Sequence, residues 1–159
     1  MPTSTLSPDE RPPFPPFTLE TAKQKVKAAQ AAWNTKDPKR VALAYTPDSI
    51  WRNRDRFLRG REEIEAFLTH KWFVESGYRL RKELFAFAGN KIAVQFWYEH
   101  HDTSGQWFRT YGLEDWTFAP DGRMEKRMMS ANDVAISEEE RWFKDGVDVD
   151  SVEISDKHW

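Results

Sequence analysis

The chain has 159 residues, a length typical of one domain with one hydrophobic core. Its 24 basic and 26 acidic residues leave a net charge of -2, which offers no attraction for nucleic acid or for anionic membranes. The absence of cysteine excludes disulfides and thiolate chemistry and favours a cytoplasmic location, and no segment approaches the ~20 apolar residues that span a bilayer.

The first part of the chain predicts three helices after an extended tail. Residues 1–17 hold six of the nine prolines, which favour extended backbone. Thr18 can cap a first helix, because apolar residues then recur at spacings of three and four as far as Trp33. Asp37, followed by proline, marks the start of a short second helix, and Gly60 leads into a third.

The remainder predicts a curved antiparallel sheet. Two short extended segments, 49–53 and 56–59, flank a turn, and residues 78–136 form four β-rich runs separated by turn-forming sequences. Such long runs exceed the usual strand length, so we expect a coiled sheet with bulges and a concave side. The predicted fold class is α+β, with the three helices covering that concave side. The chain divides into a proline-rich tail, one domain, and a capped helical turn with an acidic tail, at residues 1–17, 18–136 and 137–159.

Both faces of the predicted sheet carry apolar bulk, so both need a cover. In the third long strand, residues 108–118, one face includes Phe108 and Trp116 and the other includes Tyr111 and Leu113. The helices cover one face, and a second copy of the chain is the simplest cover for the other. We therefore predict a homodimer.

Glu114 is the acidic residue in this strand that could carry chemistry. It lies between Gly112 and Trp116 on the face that we expect to look into the cavity, where burial would raise its pKa and make it a candidate general acid or base. The alternative is an ion pair with an arginine such as Arg52 or Arg81, or exposure on the other face.

His100 is the second candidate catalytic residue. It alternates with His101 across the preceding strand, so one of the two faces the cavity. Adjacent strand histidines do not converge on a metal ion, so we expect no metal site. His100 is an electrostatic partner for Glu114, or a hydrogen-bonded residue of the cavity or the strand end.

The aromatic content of 14%, with 8 Trp and 11 Phe, predicts either a filled core or an aromatic-lined pocket. The candidate pocket residues from different elements are Trp33, Trp51, Trp72, Tyr98 and Trp116. Asn53 and Asn132, near predicted strand ends, could orient a ligand or serve as turn residues. The basic run at 52–61 could hold an anionic group, or form a solvated face.

Three segments resemble the nuclear transport factor 2-like superfamily, which includes ketosteroid isomerases and SnoaL-like polyketide cyclases. They read AWNTKDPKRVALAYTPDSIWRNR at 32–54, FLRGREEIEAFLTHKW at 57–72, and GNKIAVQFWYEHHDTSGQWFRTYGLEDWTF at 89–118. Within that superfamily the chain is most similar to a bacterial family of unknown function. The resemblance implies a cone-shaped sheet with a deep pocket, and dimerisation across the sheet.

The catalytic residues of these relatives carry over only in part. The resemblance places Asn53 where the isomerases have a carboxylate base, Ala29 near their oxyanion tyrosine, and Glu114 near their protonated acid. One of three roles is filled, which disfavours that mechanism. The epoxide-hydrolase branch resembles the chain in its aromatic residue and Asn two apart, here Trp51 and Asn53, but Asn132 stands where one of its acids is expected.

These observations support two hypotheses. The first is a cofactor-independent enzyme or binding protein for a small, mostly apolar organic molecule, with Glu114 and His100 as the catalytic pair if it is an enzyme. The second is a non-catalytic dimeric scaffold whose rings fill the core. The volume of the interior cavity distinguishes them.

Overall fold

The computed structural model describes residues 6–159, so the first five residues of the predicted proline-rich tail lie outside the described residues. Residues 6–159 form three helices and six strands, which are followed by three short 3₁₀ turns. The helices and strands are α1 (Leu19–Asn34), α2 (Pro38–Ala42), β1 (Tyr45–Asn53), β2 (Arg56–Arg59), α3 (Arg61–Val74), β3 (Ser76–Ala88), β4 (Lys91–His101), β5 (Trp107–Phe118) and β6 (Met124–Ile136).

Local side-chain chemistry starts the first two helices as predicted. The Thr18 hydroxyl accepts a hydrogen bond from Thr21 N at 3.2 Å, and the Thr21 hydroxyl accepts one from Thr18 N at 2.8 Å. The Asp37 carboxylate accepts hydrogen bonds from the backbone N–H of Lys39 and Arg40 at 3.1 and 3.3 Å. These bonds satisfy amides that have no partner inside the helix.

The strands form one sheet in the order β2-β1-β6-β5-β4-β3. Within residues 6–159 every neighbouring pair is antiparallel except β1 and β6. The β3–β4 register shifts around Phe85, which confirms a bulge in this curved sheet. β1 begins at Tyr45, four residues before the predicted start, and its pairing with β6 is irregular up to Ile50. Pro47 lies in this irregular stretch and has no N–H for the ladder.

The main core lies between α1 and the face of the sheet that α1 covers. Trp33 of α1 stacks on Trp51 of β1 with ring centroids 5.8 Å apart, and meets Trp72 of α3 edge-on at the same distance. Together with the sheet order, this helix-covered layer confirms the predicted α+β class. Among the described residues, no helix is long and apolar enough to cross a membrane.

The chain's own C-terminal segment, residues 137–159, covers part of the outer face of the sheet. Phe143 and Val149 pack against Trp97 of β4. The buried Glu99 carboxylate accepts hydrogen bonds from the backbone N–H of Trp142 and Phe143, the latter at 2.8 Å. The homodimer stays a prediction. In it, the second copy of the chain would cover the part of the outer face that the C-terminal segment leaves open.

Phe143→Ala should lower the free energy of unfolding by about 3–5 kcal/mol, because Phe143 is fully buried beneath the C-terminal segment. Urea denaturation measures the loss. The matched control is Phe73→Ala, whose ring is 80% exposed and whose removal should change stability by less than about 0.5 kcal/mol. Equal effects for the two variants would show that the segment does not stabilise the sheet.

Candidate functional site

Glu114 lies at the centre of a buried charged cluster on the helix-covered face of the sheet. Lys82 of β3 donates a hydrogen bond to Oε1 of this carboxylate, and Arg127 Nε of β6 donates to Oε2 at 3.0 Å. Trp116 Nε1 also donates to Oε2, at 2.5 Å. Arg127 Nη1 donates in turn to Asn53 Oδ1 at 3.1 Å. We call Lys82, Glu114, Arg127 and Asn53 the Glu114 cluster.

The neighbours of Glu114 hold it ionised. Burial alone would raise the pKa of Glu114, but Arg127 and Lys82 outweigh burial and lower it to about 2. Burial lowers the pKa of Lys82 to about 8, with Glu114 opposing, so Lys82 remains protonated at neutral pH. The expectation of a raised pKa for Glu114 is therefore wrong: burial acts in the expected direction, but the two cations reverse the net shift.

Aromatic rings fill the space around the cluster. The Arg127 guanidinium lies 4.4 Å from the ring centroid of Trp51 and 4.8 Å from that of Trp33, and Lys82 Nζ lies 4.9 Å from that of Phe96. The void beside Glu114 is about 10 Å³. That is no more than the space one water needs, so no ligand fits against this carboxylate.

A cavity of about 460 Å³ lies between α1, α2 and the ends of β5 and β6. We call it the alanine cavity, because Ala28, Ala29 and Ala32 of α1 line one wall. Its other lining residues are Arg11, Pro12, Lys25, Trp33, Arg40, Val41, Leu43, Ala44, Tyr45, Trp116, Phe118, Gly122 and Met124.

The N-terminal tail closes one edge of the alanine cavity. Lys25 Nζ donates to the carbonyl oxygens of Arg11 and Gly122, at 2.5 and 2.7 Å. Arg11 N donates to Asp121 O at 2.8 Å. Burial lowers the pKa of Lys25 to about 8, with Arg11 adding to that effect and Asp121 opposing it. The tail is therefore fastened to the β5–β6 turn.

A second pocket, of about 250 Å³, is polar. We call it the polar pocket, and it is lined by Asn53, Arg54, Arg56, Phe67, His70, Lys71, Val74, Glu75, Tyr98, His100 and Asp133. Lys71 Nζ donates to Glu75 Oε2 at 2.6 Å and to the Tyr98 hydroxyl at 3.2 Å. His100 Nδ1 lies 3.4 Å from Glu75 Oε1. Burial lowers the pKa of His100, with Glu75 opposing, so the ring is neutral at neutral pH.

The structure divides the predicted pocket residues between these places. Trp33 and Trp116 line the alanine cavity, whereas Asn53, Tyr98 and His100 line the polar pocket. Trp51 and Trp72 are packed in the core. Glu114 and His100 therefore lie in different compartments rather than beside one ligand.

The prediction that Asn132 lines the pocket is wrong. It pairs with Tyr111 and is exposed on the outer face, whereas its neighbour Asp133 pairs with Thr110 and faces the polar pocket. Asp133 accepts hydrogen bonds from Arg54 Nη2 at 2.7 Å and from the Thr110 hydroxyl at 2.5 Å. A shift of one residue along a strand moves a side chain to the other face.

Sequence reasoning missed the cations that bind Glu114. Arg52 and Arg81, the suggested partners, bond elsewhere: Arg52 Nη1 donates to Met129 O at 2.9 Å and Arg81 Nε to Glu83 at 2.9 Å. Alternation along β3 groups Lys82 with the apolar Tyr78 and Leu80, but it does not pair Lys82 with Glu114, and the pattern of β6 does not fix the face of Arg127. The sequence pattern indicates that Lys71 is buried, because it lies among the apolar residues of α3 at helical spacing.

The fold defines a class of protein. A curved six-stranded sheet with three helices against one face is the nuclear transport factor 2-like fold, which the chain shares with solved structures. Within this class, residues 15–144 match the family described as "Protein of unknown function (DUF1348)", and the chain belongs to that family. No curated protein sequence matches the chain.

Three solved structures illustrate the shared fold. A nuclear transport factor 2-like protein of unknown function from Burkholderia pseudomallei is 22% identical, covers 70% of this chain and 90% of its own, and gives a TM-score of 0.63. TerC, co-crystallised with polyporic acid, is 20% identical. The match covers 70% of this chain and 91% of TerC, with a TM-score of 0.62. A hypothetical protein with a ketosteroid isomerase-like fold from Catenulispora acidiphila, in complex with trimethylamine, is 15% identical. The match covers 66% of this chain and 82% of that protein, with a TM-score of 0.60.

Glu114→Gln should lower the free energy of unfolding at neutral pH by about 3–5 kcal/mol, because it leaves Lys82 and Arg127 buried without their counter-ion. Asp115→Asn, one residue along on the outer face, is the control. Asp115 pairs with Lys91 at an exposed site, so its loss should cost about 0–1 kcal/mol in the same urea titration.

The pH dependence has a definite sign. The folded pKa of Glu114 lies below its ordinary value, so its stabilisation is complete above about pH 4.5 and is lost as the pH falls through about 2. Glu114→Gln should lack this component of the acid transition. An acid transition identical to that of the wild type would contradict the assignment of Glu114 as an ionised residue.

Proposed function

We propose that the chain binds a small, mostly apolar organic molecule in the alanine cavity, without a cofactor. The observation that carries this function is the volume of about 460 Å³. It lies within the range of ~300–1,000 Å³ that small-molecule pockets occupy in proteins. The void beside Glu114, at about 10 Å³, offers no competing interior site.

The lining selects an apolar ligand. The three alanines of α1 leave open the space that larger side chains would fill, and Leu43, which is 49% exposed, adds apolar surface to the lining. Tyr45 and Trp116 are buried, with 2% and 1% of their surface exposed, so their positions are held by packing. The ammonium group of Lys25 is engaged by two backbone carbonyls, which leaves it little capacity for a ligand.

Glu114 is a structural residue within this function. Both of its oxygens accept hydrogen bonds from buried donors, and the space beside it is too small for a substrate. The fold itself supports ligand binding, because TerC with polyporic acid and the Catenulispora protein with trimethylamine hold small molecules. Binding is therefore the function that the alanine cavity favours, and the contrasting function is a dimeric scaffold.

Ala29→Phe tests the cavity by filling it with a ring. In a thermal-shift screen, indole, cyclohexanone and styrene oxide represent flat apolar molecules, ketones and epoxides. A probe that binds the folded state should stabilise the wild type by about 2.7 kcal/mol at one hundred times its dissociation constant. The same probe should leave Ala29→Phe unshifted, because Ala29 lines the cavity.

Ala31→Phe is the matched control, since Ala31 lies on the same helix but is exposed and does not line the cavity. It should respond to the probe as the wild type does. If no probe shifts the wild type, or if Ala29→Phe responds equally, ligand binding in the alanine cavity is excluded and the scaffold is favoured. Sedimentation of the wild type then tests dimerisation.

A further inference from the structure

The polar pocket contains hydrogen-bond donors that the protein itself does not use. The Tyr98 hydroxyl accepts from Arg54 Nη2 at 3.3 Å and from Lys71 Nζ at 3.2 Å, which occupies both of its acceptor positions. Among residues 6–159 its own proton finds no acceptor. Tyr98 is 3% exposed, so this O–H group can donate only to something that enters the pocket.

Two further side chains add free donors. Lys71 Nζ uses two of its three N–H groups, on Glu75 and Tyr98. Asn53 turns its oxygen to the Arg127 guanidinium, which can only donate, so its amide NH₂ is left over. That NH₂ group makes no hydrogen bond within the described part of the chain, although Asn53 is only 6% exposed and lines the pocket.

The imidazole of His100 also has unused hydrogen-bonding capacity. Its Nδ1 is fully buried and has no hydrogen-bond partner within residues 6–159, although Glu75 Oε1 lies 3.4 Å away. The other ring nitrogen, Nε2, makes no hydrogen bond to the described residues either, and it is not among the fully buried atoms. Buried polar groups without partners are rare in proteins, and His100 Nδ1 is one such group. The other donors named here belong to side chains that line the pocket, where an incoming ligand can accept from them.

The charges of the pocket favour an anion. Three cationic side chains, Arg54, Arg56 and Lys71, line it together with two carboxylates, Glu75 and Asp133, which leaves one positive charge while His100 is neutral. Each carboxylate already accepts a hydrogen bond from a cation of the pocket. The remaining positive charge, which rises to two when His100 is protonated, attracts an anionic ligand.

We propose that the polar pocket is a second ligand site, which binds a small organic monocarboxylate through Tyr98, Lys71 and Asn53. Two carboxylate oxygens provide about four acceptor positions, which matches the free donors. Phe67 and Val74 give the pocket an apolar wall for the body of the ligand. The volume of about 250 Å³ limits that body to one small ring or a short chain.

Binding should take up a proton on His100. The groups that face this imidazole are Glu75 and Lys71 at the end of α3, Arg54 after β1, and Asp133 on β6, with the Tyr98 ring beside it. A neutral ring that carries its proton on Nδ1, the nitrogen 3.4 Å from Glu75 Oε1, presents a lone pair at Nε2, which repels a carboxylate. A bound carboxylate therefore favours the protonated ring, which donates from both nitrogens.

Titration calorimetry on the full chain with benzoate tests the site. Benzoate should bind at least threefold more tightly at about pH 6 than at about pH 8, with proton uptake detected in buffers of different ionisation enthalpy. Benzamide has the same shape without the charge, and it should bind at least tenfold more weakly. Inorganic phosphate distinguishes the source of the anion: displacement of benzoate by phosphate at equal concentration would overturn the organic carboxylate.

His100→Asn should retain part of the affinity but lose its pH dependence and the proton uptake. His101→Asn is the matched control, because His101 is the next residue along β4 and does not line the pocket. It should behave as the wild type does. An unchanged pH dependence in His100→Asn would overturn the role of His100.

Tyr98→Phe removes one donor and should weaken benzoate binding about tenfold, with circular dichroism confirming the fold. Ala29→Phe should leave benzoate binding unchanged, because the alanine cavity and the polar pocket share no lining residue. Loss of binding in Ala29→Phe, or full binding in Tyr98→Phe, would place benzoate outside the polar pocket and overturn the proposal.

Discussion

The structure depends on one buried carboxylate that faces two buried cations. Glu114 joins β5 to Lys82 on β3 and Arg127 on β6, and Arg127 extends the connection to Asn53 on β1. The two cations exceed the single carboxylate by one positive charge, and all three side chains are no more than 3% exposed. An uncompensated buried charge is costly, so something else must stabilise the excess.

The aromatic rings provide that stabilisation. Trp33 and Trp51 lie against the Arg127 guanidinium, and Phe96, Trp33 and Trp116 surround Lys82 Nζ. The high tryptophan content therefore has a specific electrostatic role beyond filling volume. It also explains why the interior is divided: the cluster and its rings occupy the space between the two pockets. The small void beside Glu114 shares Trp33 with the alanine cavity, and Asn53, Lys71 and Tyr98 with the polar pocket.

Sequence reasoning was most accurate where the determining chemistry is local. Thr18 and Asp37 cap helices through amides within three residues, so these helix starts could be read directly. Strand alternation likewise grouped Glu114 with Phe108 and Trp116 on one face of β5, and the structure shows that this face is the inner one. On β6 the neighbouring Met128 and Met129 lie on opposite faces, so hydrophobicity does not fix which face Asn132 occupies. The register with β5 decides it, and that is a tertiary property.

The partners of Glu114 were beyond prediction for a related reason. Lys82 is 32 positions away and Arg127 is 13 positions away, and each is one of 24 basic residues in the chain. Their pairing follows from sheet curvature and from the packing of rings around them. The division of the interior into two pockets could not be inferred either, because it requires the position of every side chain in the cluster.

The same arrangement recurs on the opposite face of the sheet. The Glu99 carboxylate is fully buried and pairs with Arg109 at 2.9 Å, and the Arg109 guanidinium lies 3.5 Å from the ring centroid of Trp142. Because Glu99 also accepts backbone N–H groups from the C-terminal segment, it fixes that segment to the sheet. A carboxylate, an arginine and a tryptophan thus hold the layer on each side. The two faces differ in what remains open. On the inner face the cluster leaves two ligand-sized pockets, whereas on the outer face Ile50, Phe57, Leu113 and Val134 are exposed. The chemistry specific to this protein is therefore concentrated on the helix-covered face, and the outer face keeps the apolar side chains that a second copy of the chain is predicted to cover.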